Sequence, residues 1–393
     1  MLVPRNPIAL SWMEIIRAIF SFRKESQIEY FGKAISNYLN VRNVILVSSG
    51  RLALYFILKA LLKEGDKLIV PAFTCNVILG AIKTAGVKPV FADVDIGSFN
   101  MGVKYIKQVF GPDIKAILMT HQFGLPCDVD EIIDFAKKNK VLVIEDAAPA
   151  LGAKYKGKLV GVFGDVGFFS FENSKVISTY EGGAIVTRRD DIFTKTKATI
   201  RNLKGKMSSN NKILLKLLLG KIMLNPYLYS LTYKMWQLIS REKYSSAEKL
   251  DLEDNRYLKP AVFTPFRATL GLLQLKKIDK ILKIREKTAE LYSNKLLDFT
   301  GLQLQTFSND RTHTYARYAV LLKDIDKYKF HDMARRKGVD LGFTFSYICP
   351  QYYEKEYSNY KNSLYIANHI LNIPITMNKK LNKHIISQVR QIL

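Results

Sequence analysis

A single lysine stands between an apolar run and a glycine turn, a placement suited to covalent chemistry. Residues 168–171 read Phe-Phe-Ser-Phe, Lys175 follows in a polar stretch, and the Glu-Gly-Gly turn at 181–183 leads into a second apolar run. A lysine held at the end of a strand can act as a nucleophile. The chain contains 60 Lys plus Arg, and most lysines are solvated surface charges, so Lys175 needs partners elsewhere before it counts as catalytic.

Two other strand ends carry groups that could serve such a lysine. The apolar run 44–47 ends in Ser48-Ser49-Gly50, directly before a helical pattern, and the N–H groups and dipole of a helix N-terminus attract anions. The apolar strand 141–144 ends in Glu145-Asp146. Acids at this place often cap the next helix, but a carboxylate at Asp146 could also bond a cationic ring nitrogen, whereas Glu145 is expected to make structural contacts.

Strands and helices alternate between residues 44 and 144, which predicts a mainly parallel sheet covered by helices on both faces. Ligands in such sheets bind beyond the carboxyl ends of the strands. The turn Ser48-Ser49-Gly50, called the anion cradle below, lies at one strand end, and Asp146 and Lys175 lie at two others. Together they match the needs of pyridoxal 5'-phosphate. This cofactor requires donors for its phosphate, an acid for its ring nitrogen and an amine for its aldehyde.

At these residues the sequence resembles the DegT/DnrJ/StrS family of nucleotide-sugar aminotransferases. Several segments carry the resemblance in the same order along the chain: Ser48–Leu54, Gly65-Asp66, Val70–Thr74, Pro89–Asp95, His121–Pro126, Asp128–Asp130, Glu145–Ala148, Gly152-Ala153, Ser170–Lys175 and Glu181–Gly183. Ordered motifs are more specific than any one of them. The resemblance implies the fold-type I architecture, an α/β fold with a mainly parallel central sheet flanked by helices and a smaller C-terminal α+β domain.

The resemblance also implies a role for each residue of the cofactor site. Lys175 would hold the cofactor covalently and shuttle a proton, and Asp146 would pair with the ring nitrogen. The phosphate would be bound by the turn that contains Ser49, by the backbone N–H groups of Gly50 and Arg51, and by the hydroxyl of Ser170.

Four positions depart from the family pattern. Arg51 stands where a threonine or serine is common. Cys75 stands where many members place the aromatic ring that stacks on the cofactor. Pro149 replaces a glutamine or histidine, and the asparagine that usually reaches the neighbouring subunit's phosphate is missing, with Asn255 or Arg267 as candidate substitutes. These departures keep open the alternative of a non-catalytic binding or regulatory protein on the same scaffold.

Composition narrows the partners of the protein. A formal net charge of +25 favours acidic partners, and no helix-turn-helix, zinc-finger or RNP motif directs this charge to nucleic acid. A phosphorylated substrate or an anionic surface is therefore favoured. The three cysteines are widely spaced, which supports neither a disulfide framework nor a metal site. With no secretory leader in view, we expect a cytoplasmic location.

The chain is predicted to form two domains and one insertion. Residues 30–255 would form the cofactor-binding domain, and residues 1–29 with 256–393 the smaller domain and a linking helix. Within the first lies a basic, apolar helical insertion at about 205–250. Segment 212–240 is interrupted by lysines and Pro226 too often to span a bilayer. Helices packed on the core or on a dimer partner are preferred, and peripheral contact with an anionic membrane is the alternative.

Taken together, the sequence predicts a homodimeric aminotransferase that depends on pyridoxal 5'-phosphate. It would move an amino group from an amino acid such as glutamate to a ketosugar carried on a nucleotide, for cell-surface polysaccharide or related glycan biosynthesis. The sugar, its nucleotide and the aminated carbon stay open.

Overall fold

The computed structural model describes residues 1–201, 206–207, 210–240 and 261–393. The helices are α1 (Trp12–Ile19), α2 (Ser26–Leu39), α3 (Gly50–Leu61), α4 (Val77–Thr84), α5 (Val103–Val109), α6 (Val129–Asn139), α7 (Asp190–Arg201), α8 (Asn210–Met223), α9 (Tyr229–Ser240), α10 (Pro265–Leu275), α11 (Ile278–Leu296), α12 (Lys327–Arg336), α13 (Lys361–His369) and α14 (Lys379–Arg390). The strands are β1 (Asn43–Val47), β2 (Lys67–Pro71), β3 (Lys88–Ala92), β4 (Ile114–Thr120), β5 (Leu142–Asp146), β6 (Lys154–Tyr155), β7 (Lys158–Leu159), β8 (Val166–Ser170), β9 (Gly183–Thr187), β10 (Lys206–Met207), β11 (Ala261–Val262), β12 (Leu302–Leu304), β13 (Arg311–Thr312), β14 (Tyr318–Leu322) and β15 (Ile370–Ile373).

A seven-stranded sheet in the order β1-β9-β8-β5-β4-β2-β3 forms the centre of the fold. Its neighbours pair in parallel from β3 across to β8, and β9 pairs antiparallel with both β8 and β1. Antiparallel strands need no helical crossover between them. The loop from β8 to β9 is therefore free to carry Lys175, and the predicted α/β architecture with a mainly parallel sheet is confirmed.

A smaller antiparallel sheet, β12-β14-β15, lies in the C-terminal part of the chain. Its core includes Tyr292 of α11, Phe330 of α12 and Ile385 of α14, together with Val3 from the N-terminal segment. Val3 also forms a parallel bridge with Val339. The N-terminal segment thus packs with the C-terminal elements.

Two segments differ from what their sequence patterns predict: residues 339–345 indicate a strand, and the helical spacing from Leu272 through Leu291 indicates one long helix. The apolar run from Val339 to Phe345 is not a strand, because only Val339 and Gly342 form isolated bridges, and Asp340 between them is buried by side-chain bonds to Arg5 and Tyr229. The helical pattern that starts at Leu272 is also not continuous. It divides into α10 and α11, and the backbone of Lys277 between them departs from helical geometry.

The start of α3 lies directly against the ends of β8 and β9. A Cβ atom added to Gly50 would lie 2.9 Å from the Cβ of Ser170, and one added to Gly183 would lie 2.7 Å from the backbone carbon of Ser49. The register supports this contact, because Gly183 pairs with both Val47 and Ser170. Only glycine allows the backbones to approach so closely at these two positions.

We expect Gly183→Ala to lower the free energy of unfolding by about 1–3 kcal/mol, because the new methyl group would force backbone atoms apart. Gly80→Ala in α4 is the matched control, since no atom lies within 4 Å of its added Cβ and alanine is the better helix former. Urea unfolding of the two variants measures the difference. Equal stability of Gly183→Ala and the wild type would contradict the close contact.

Candidate active site

The anion cradle forms where α3 meets β8. Ser49 caps α3, and its hydroxyl accepts a hydrogen bond from the N–H of Leu52 at 3.2 Å. An α-helix leaves its first N–H groups without intrahelical acceptors, so the backbone of Gly50 and Arg51 presents donors at this end. Ser170, the last residue of β8, lies against Gly50. The structure therefore brings Ser49, Gly50 and Ser170 together at one edge of the sheet.

Asp146 is the last residue of β5 and is buried, with 5% of its surface exposed. Its Oδ1 accepts a hydrogen bond from the N–H of Ala148 at 3.0 Å. Burial raises the pKa of Asp146, while the Ala148 N–H and the positive charge of Lys175 act to lower it. Because Asp146 is buried, its carboxylate is poorly solvated, and its negative charge would stabilise a cation placed beside it.

The loop between β8 and β9 is fixed on both sides of Lys175. Before the lysine, the Glu172 carboxylate accepts hydrogen bonds from the N–H and the hydroxyl of Ser174. After it, the N–H of Ser178 donates to the side-chain oxygen of Gln274 at 3.0 Å, and the amide of Gln274 donates back to the Ser178 carbonyl. Gln274 is fully buried in α10. No pattern in the sequence indicates that Gln274 holds the lysine loop.

Glu145 makes the structural contacts that the sequence predicts. Its buried carboxylate accepts hydrogen bonds from the N–H groups of Gly161, Phe163 and Gly164 and lies 2.8 Å from Nε2 of His121. Because Nδ1 of His121 accepts from a backbone N–H at Cys127, Nε2 carries the proton donated to Glu145. Burial acts to raise the pKa of Glu145, but these hydrogen bonds hold it below its ordinary value.

The other positions singled out from the sequence have different surroundings. Cys75 is half-buried, and the carbonyl of Pro149 accepts a hydrogen bond from Thr314. Arg267 is buried, and its guanidinium forms an ion pair with Glu181 at 2.8 Å. The same carboxylate also pairs with Lys216 at 3.1 Å, so Arg267 shares its partner within its own chain. Asn255 lies outside the described residues.

A small cavity beside Lys175 contains residues that the sequence did not indicate. Arg285, Arg317 and Asn372 line it together with Lys175, although they come from α11, from the residue before β14, and from β15. No periodicity or short motif links three residues so far apart in the chain. Across the ranges that the structure describes, no group of three or more potential ligands could hold a metal ion.

The matching family model covers residues 15–221 and 262–391, and the chain belongs to the DegT/DnrJ/EryC1/StrS aminotransferase family. This confirms the family predicted from the motifs and makes the chain an enzyme of the aminotransferase class. Its fold is shared by solved family structures over the whole length of the chain.

Named relatives give the comparison more detail. The chain is 30% identical to GDP-perosamine synthase of Escherichia coli O157:H7 over 77% of this chain and 72% of that protein. It is 25% identical to dTDP-4-amino-4,6-dideoxy-D-glucose transaminase of Shigella dysenteriae over 92% of this chain and 88% of that protein. Spr1654 of Streptococcus pneumoniae, solved in its PMP form, matches with a TM-score of 0.78, at 19% identity, over 99% of this chain and 98% of that one.

We expect Glu145→Gln to lower the free energy of unfolding at pH 7 by about 3 kcal/mol, because an amide cannot accept from all the N–H groups that the carboxylate binds. Since folding depresses the pKa of Glu145, its contribution is present above its ordinary value of 4.5 and is lost as pH falls below it. The difference in the free energy of unfolding between the variant and the wild type should therefore become smaller in acid. Denaturant unfolding at several pH values measures it.

Glu131→Gln is the control, because Glu131 is exposed in the first turn of α6. Its unfolding should follow that of the wild type at every pH. A gap for Glu145→Gln that stays constant down to pH 3 would contradict the pKa assigned to Glu145.

Proposed function

We propose that this protein transfers an amino group from an amino acid, with glutamate the expected donor, to a keto group of a nucleotide-linked sugar. The observation that carries the proposal is the position of Lys175 on the β8–β9 loop. The positive charge of Lys175 acts on the buried Asp146. Strand β8, which leads to Lys175, ends at the anion cradle. These are the three groups that the sequence assigned to pyridoxal 5'-phosphate.

The residues present fit this cofactor. An added Cβ at Gly50 or Gly183 would collide with its neighbour, so glycine at both positions lets Ser170 lie directly beside the N-terminus of α3, within the cradle. Asp146 offers a buried carboxylate for a protonated ring nitrogen. The PMP form of the Streptococcus pneumoniae protein supports the same cofactor class. When bound, pyridoxal phosphate supplies an aldehyde and an electron sink.

Each residue of the proposed cofactor site has a distinct role. The amine of Lys175 holds the cofactor between turnovers and moves a proton to or from the substrate carbon. Asp146 keeps the ring nitrogen protonated. The turn that contains Ser49, the backbone N–H groups of Gly50 and Arg51, and the hydroxyl of Ser170 orient the phosphate. Gln274 and Glu172 keep the lysine loop in place through their hydrogen bonds.

The substrate class rests on the named relatives and on charge. One relative is named for a GDP-linked sugar and another for a dTDP-linked sugar, so the diphosphate is the shared chemistry and the base stays open. A net charge of +25 suits a diphosphate. We propose that the product enters the biosynthesis of cell-surface polysaccharide or a related glycan.

The alternative is a non-catalytic binding or regulatory protein on the same scaffold. Its motivation is the half-buried Cys75 and Pro149 at positions where the family usually places an aromatic ring and a hydrogen-bonding side chain. The Pro149 carbonyl is already engaged by Thr314. Cofactor binding and transfer distinguish this alternative from the enzyme.

We further propose a homodimer, a cytoplasmic location, and the two-domain division at residues 30–255 against 1–29 with 256–393. The missing asparagine and the pairing of Arg267 with Glu181 leave open which residue of one subunit reaches the phosphate of the other.

Helices α8 and α9 have a mixed surface. Ile213 and Leu217 of α8 are buried against a cluster that includes Ile15 and Phe266, which supports packing on the chain's own core. Other apolar side chains of these helices are exposed: Leu215, Leu219, Ile222, Met223, Leu231, Met235 and Leu238. Within the described ranges, no helix is both long and apolar enough to cross a membrane. Packing on a dimer partner is preferred for this surface, and contact with anionic lipid is the alternative.

The purified protein supplied with pyridoxal phosphate should gain visible absorbance, and glutamate should decrease it with release of a 2-oxo acid. Lys175→Ala should lose both responses, because the amine that binds the cofactor is gone. Lys59→Ala on the exposed side of α3 is the matched control and should behave as the wild type. A colourless wild-type protein after addition of the cofactor would favour the non-catalytic alternative.

Contact with anionic lipid predicts that the protein co-sediments with phosphatidylserine vesicles and that deletion of 212–240 abolishes this binding. Since the deletion also removes buried Ile213 and Leu217, Leu219→Asp is the milder variant, because Leu219 is 49% exposed. It should weaken vesicle binding several-fold without changing the unfolding temperature. Unchanged binding of both variants would exclude lipid contact through this segment.

A further inference from the structure

Helix α1 carries apolar side chains on two sides. Its inner side is buried, with Ile15 and Ala18 in a cluster that includes Phe266 of α10. Five large apolar residues on the remaining surface, called the outer face of α1 below, are exposed: Trp12, Met13, Ile16, Ile19 and Phe20. The side of a surface helix that faces away from the core is usually polar. The outer face of α1 therefore has the composition of a contact surface.

The outer face forms a continuous stripe. Trp12, Ile16 and Phe20 follow one another at intervals of four residues, so they lie in a row on one side of the helix. Phe20 caps the carboxyl end of α1 and is 77% exposed. Single exposed apolar residues need no explanation, but a contiguous group of them marks a binding surface.

The acid of α1 does not contribute charge to this surface. Glu14 is the only acid among residues 1–24, and it is buried, where its carboxylate forms an ion pair with Nζ of Lys277 at 2.6 Å. Burial acts to raise the pKa of Glu14, but hydrogen bonds from Lys277 and from the N–H of Ser11 hold it below its ordinary value. The negative charge of Glu14 is thus matched by a cation of the same chain.

Four cations flank the outer face. Arg17 is exposed on α1 itself, and Arg23 and Lys24 are exposed shortly after the helix ends. Lys221 of α8 is the fourth, because its Nζ lies 5.7 Å from the centre of the Trp12 ring, within the range of a cation–π contact. The surface therefore combines an apolar stripe with a border of positive charge.

We propose that the outer face of α1 docks on a membrane that contains anionic lipid. Its apolar side chains enter the boundary between headgroups and acyl chains, and the four cations lie at the lipid phosphates. Tryptophan is typical of this boundary, because its ring is amphipathic. The docking does not depend on the proposed amino transfer. Its apolar residues also differ from those of α8 and α9, for which a dimer partner is preferred.

A second copy of the chain is the other occupant of such a face, and the charges argue against it. In a two-fold contact the same surface of each copy meets its counterpart. The four cations of each copy would then meet, and the first exposed acids after α1, Glu25 and Glu29, are too few to balance them. The net charge of +25 on each chain adds to this repulsion. An anionic membrane instead supplies the opposite charge.

The docking is measured by co-sedimentation of the full-length protein with vesicles of equal parts phosphatidylcholine and phosphatidylserine. The wild type should bind these vesicles. Phe20→Asp should weaken the binding about ten-fold or more, because it places a negative charge within the apolar stripe. Leu297→Asp is the matched control and should bind as the wild type. Leu297 caps α11 as Phe20 caps α1, it is 70% exposed, and its substitution changes the net charge equally.

Arg17→Gln tests the electrostatic part of the docking. It should weaken binding to the mixed vesicles about five-fold, as expected for one basic residue near an anionic surface. Arg336→Gln is its control, because Arg336 is exposed in the last turn of α12 as Arg17 is in the last turn of α1. All of these variants should keep the unfolding temperature of the wild type, which separates weaker docking from a loss of folding.

Trp12 reports directly on the position of α1. The chain has two tryptophans, Trp12 and Trp236, so Trp236→Phe leaves Trp12 as the only source of tryptophan fluorescence. With the mixed vesicles its emission should shift to shorter wavelength, and lipids brominated in their acyl chains should quench it. Adding Phe20→Asp to this variant should abolish both responses.

Several results would overturn the docking. The wild type could fail to bind the mixed vesicles, or Phe20→Asp could bind them as tightly as Leu297→Asp does. Trp12 could stay unquenched while the protein binds, which would assign the contact to another surface. Phe20→Asp could also halve the molar mass in light scattering without lipid and leave vesicle binding unchanged, which would make a second copy the occupant. Because vesicle binding requires no turnover, these results are independent of the test of amino transfer.

Discussion

Backbone contact between the start of α3 and the ends of β8 and β9 is the constraint on which the rest of the site depends. The contact requires glycine at positions 50 and 183, since a Cβ at either place would lie 2.9 Å or less from a neighbouring atom. It joins the helix N-terminus that can bind a phosphate to the strand that leads to Lys175. Because β8 also pairs with β5, the carboxylate of Asp146 is fixed relative to both.

The buried charged side chains around this junction fall into two groups, which differ in how fully they are hydrogen-bonded. Glu145 and Asp340 are surrounded by donors: Glu145 by backbone N–H groups and His121, and Asp340 by Arg5, Tyr229 and His331. Such fully bonded carboxylates stabilise a single arrangement of the loops that they bind. Asp146, Arg285 and Arg317 instead keep capacity for further partners. Arg285 and Arg317 line the cavity next to Lys175, and Nε of the buried Arg285 has no partner there, as expected where binding energy is reserved for ligands.

The parts of the site that the sequence could predict are local. Strands β2 and β14 begin and end with the apolar runs of the sequence, at Lys67–Pro71 and Tyr318–Leu322, so these local patterns predict them. The lysine, the acid and the cradle could be recognised because each follows a strand within a few residues. Their grouping then followed from the rule that parallel strands bring their carboxyl ends to one edge.

What the sequence could not predict depends on distant partners. The run at Val339–Phe345 has the composition of a strand, but the bonds of Asp340 to Arg5 and Tyr229 hold it in another conformation. Arg285, Arg317 and Asn372 come together only because α11 and the segments that contain Arg317 and Asn372 pack beside the lysine loop. No local sequence pattern predicts that contact. The role of Gln274 likewise depends on a distant partner, because it bonds Ser178, which lies 96 positions earlier in the chain.

We propose that one site of this protein takes an amino group from an amino acid and delivers it to a nucleotide ketosugar. The most direct test incubates the loaded protein with ¹⁵N-labelled glutamate and a panel of GDP- and dTDP-linked ketosugars, followed by mass spectrometry of the nucleotide-sugar fraction. An aminosugar that carries the label should form with at least one member of the panel, and none should form with Lys175→Ala. A labelled product that forms equally well with Lys175→Ala, or no labelled product with any nucleotide ketosugar, would contradict it.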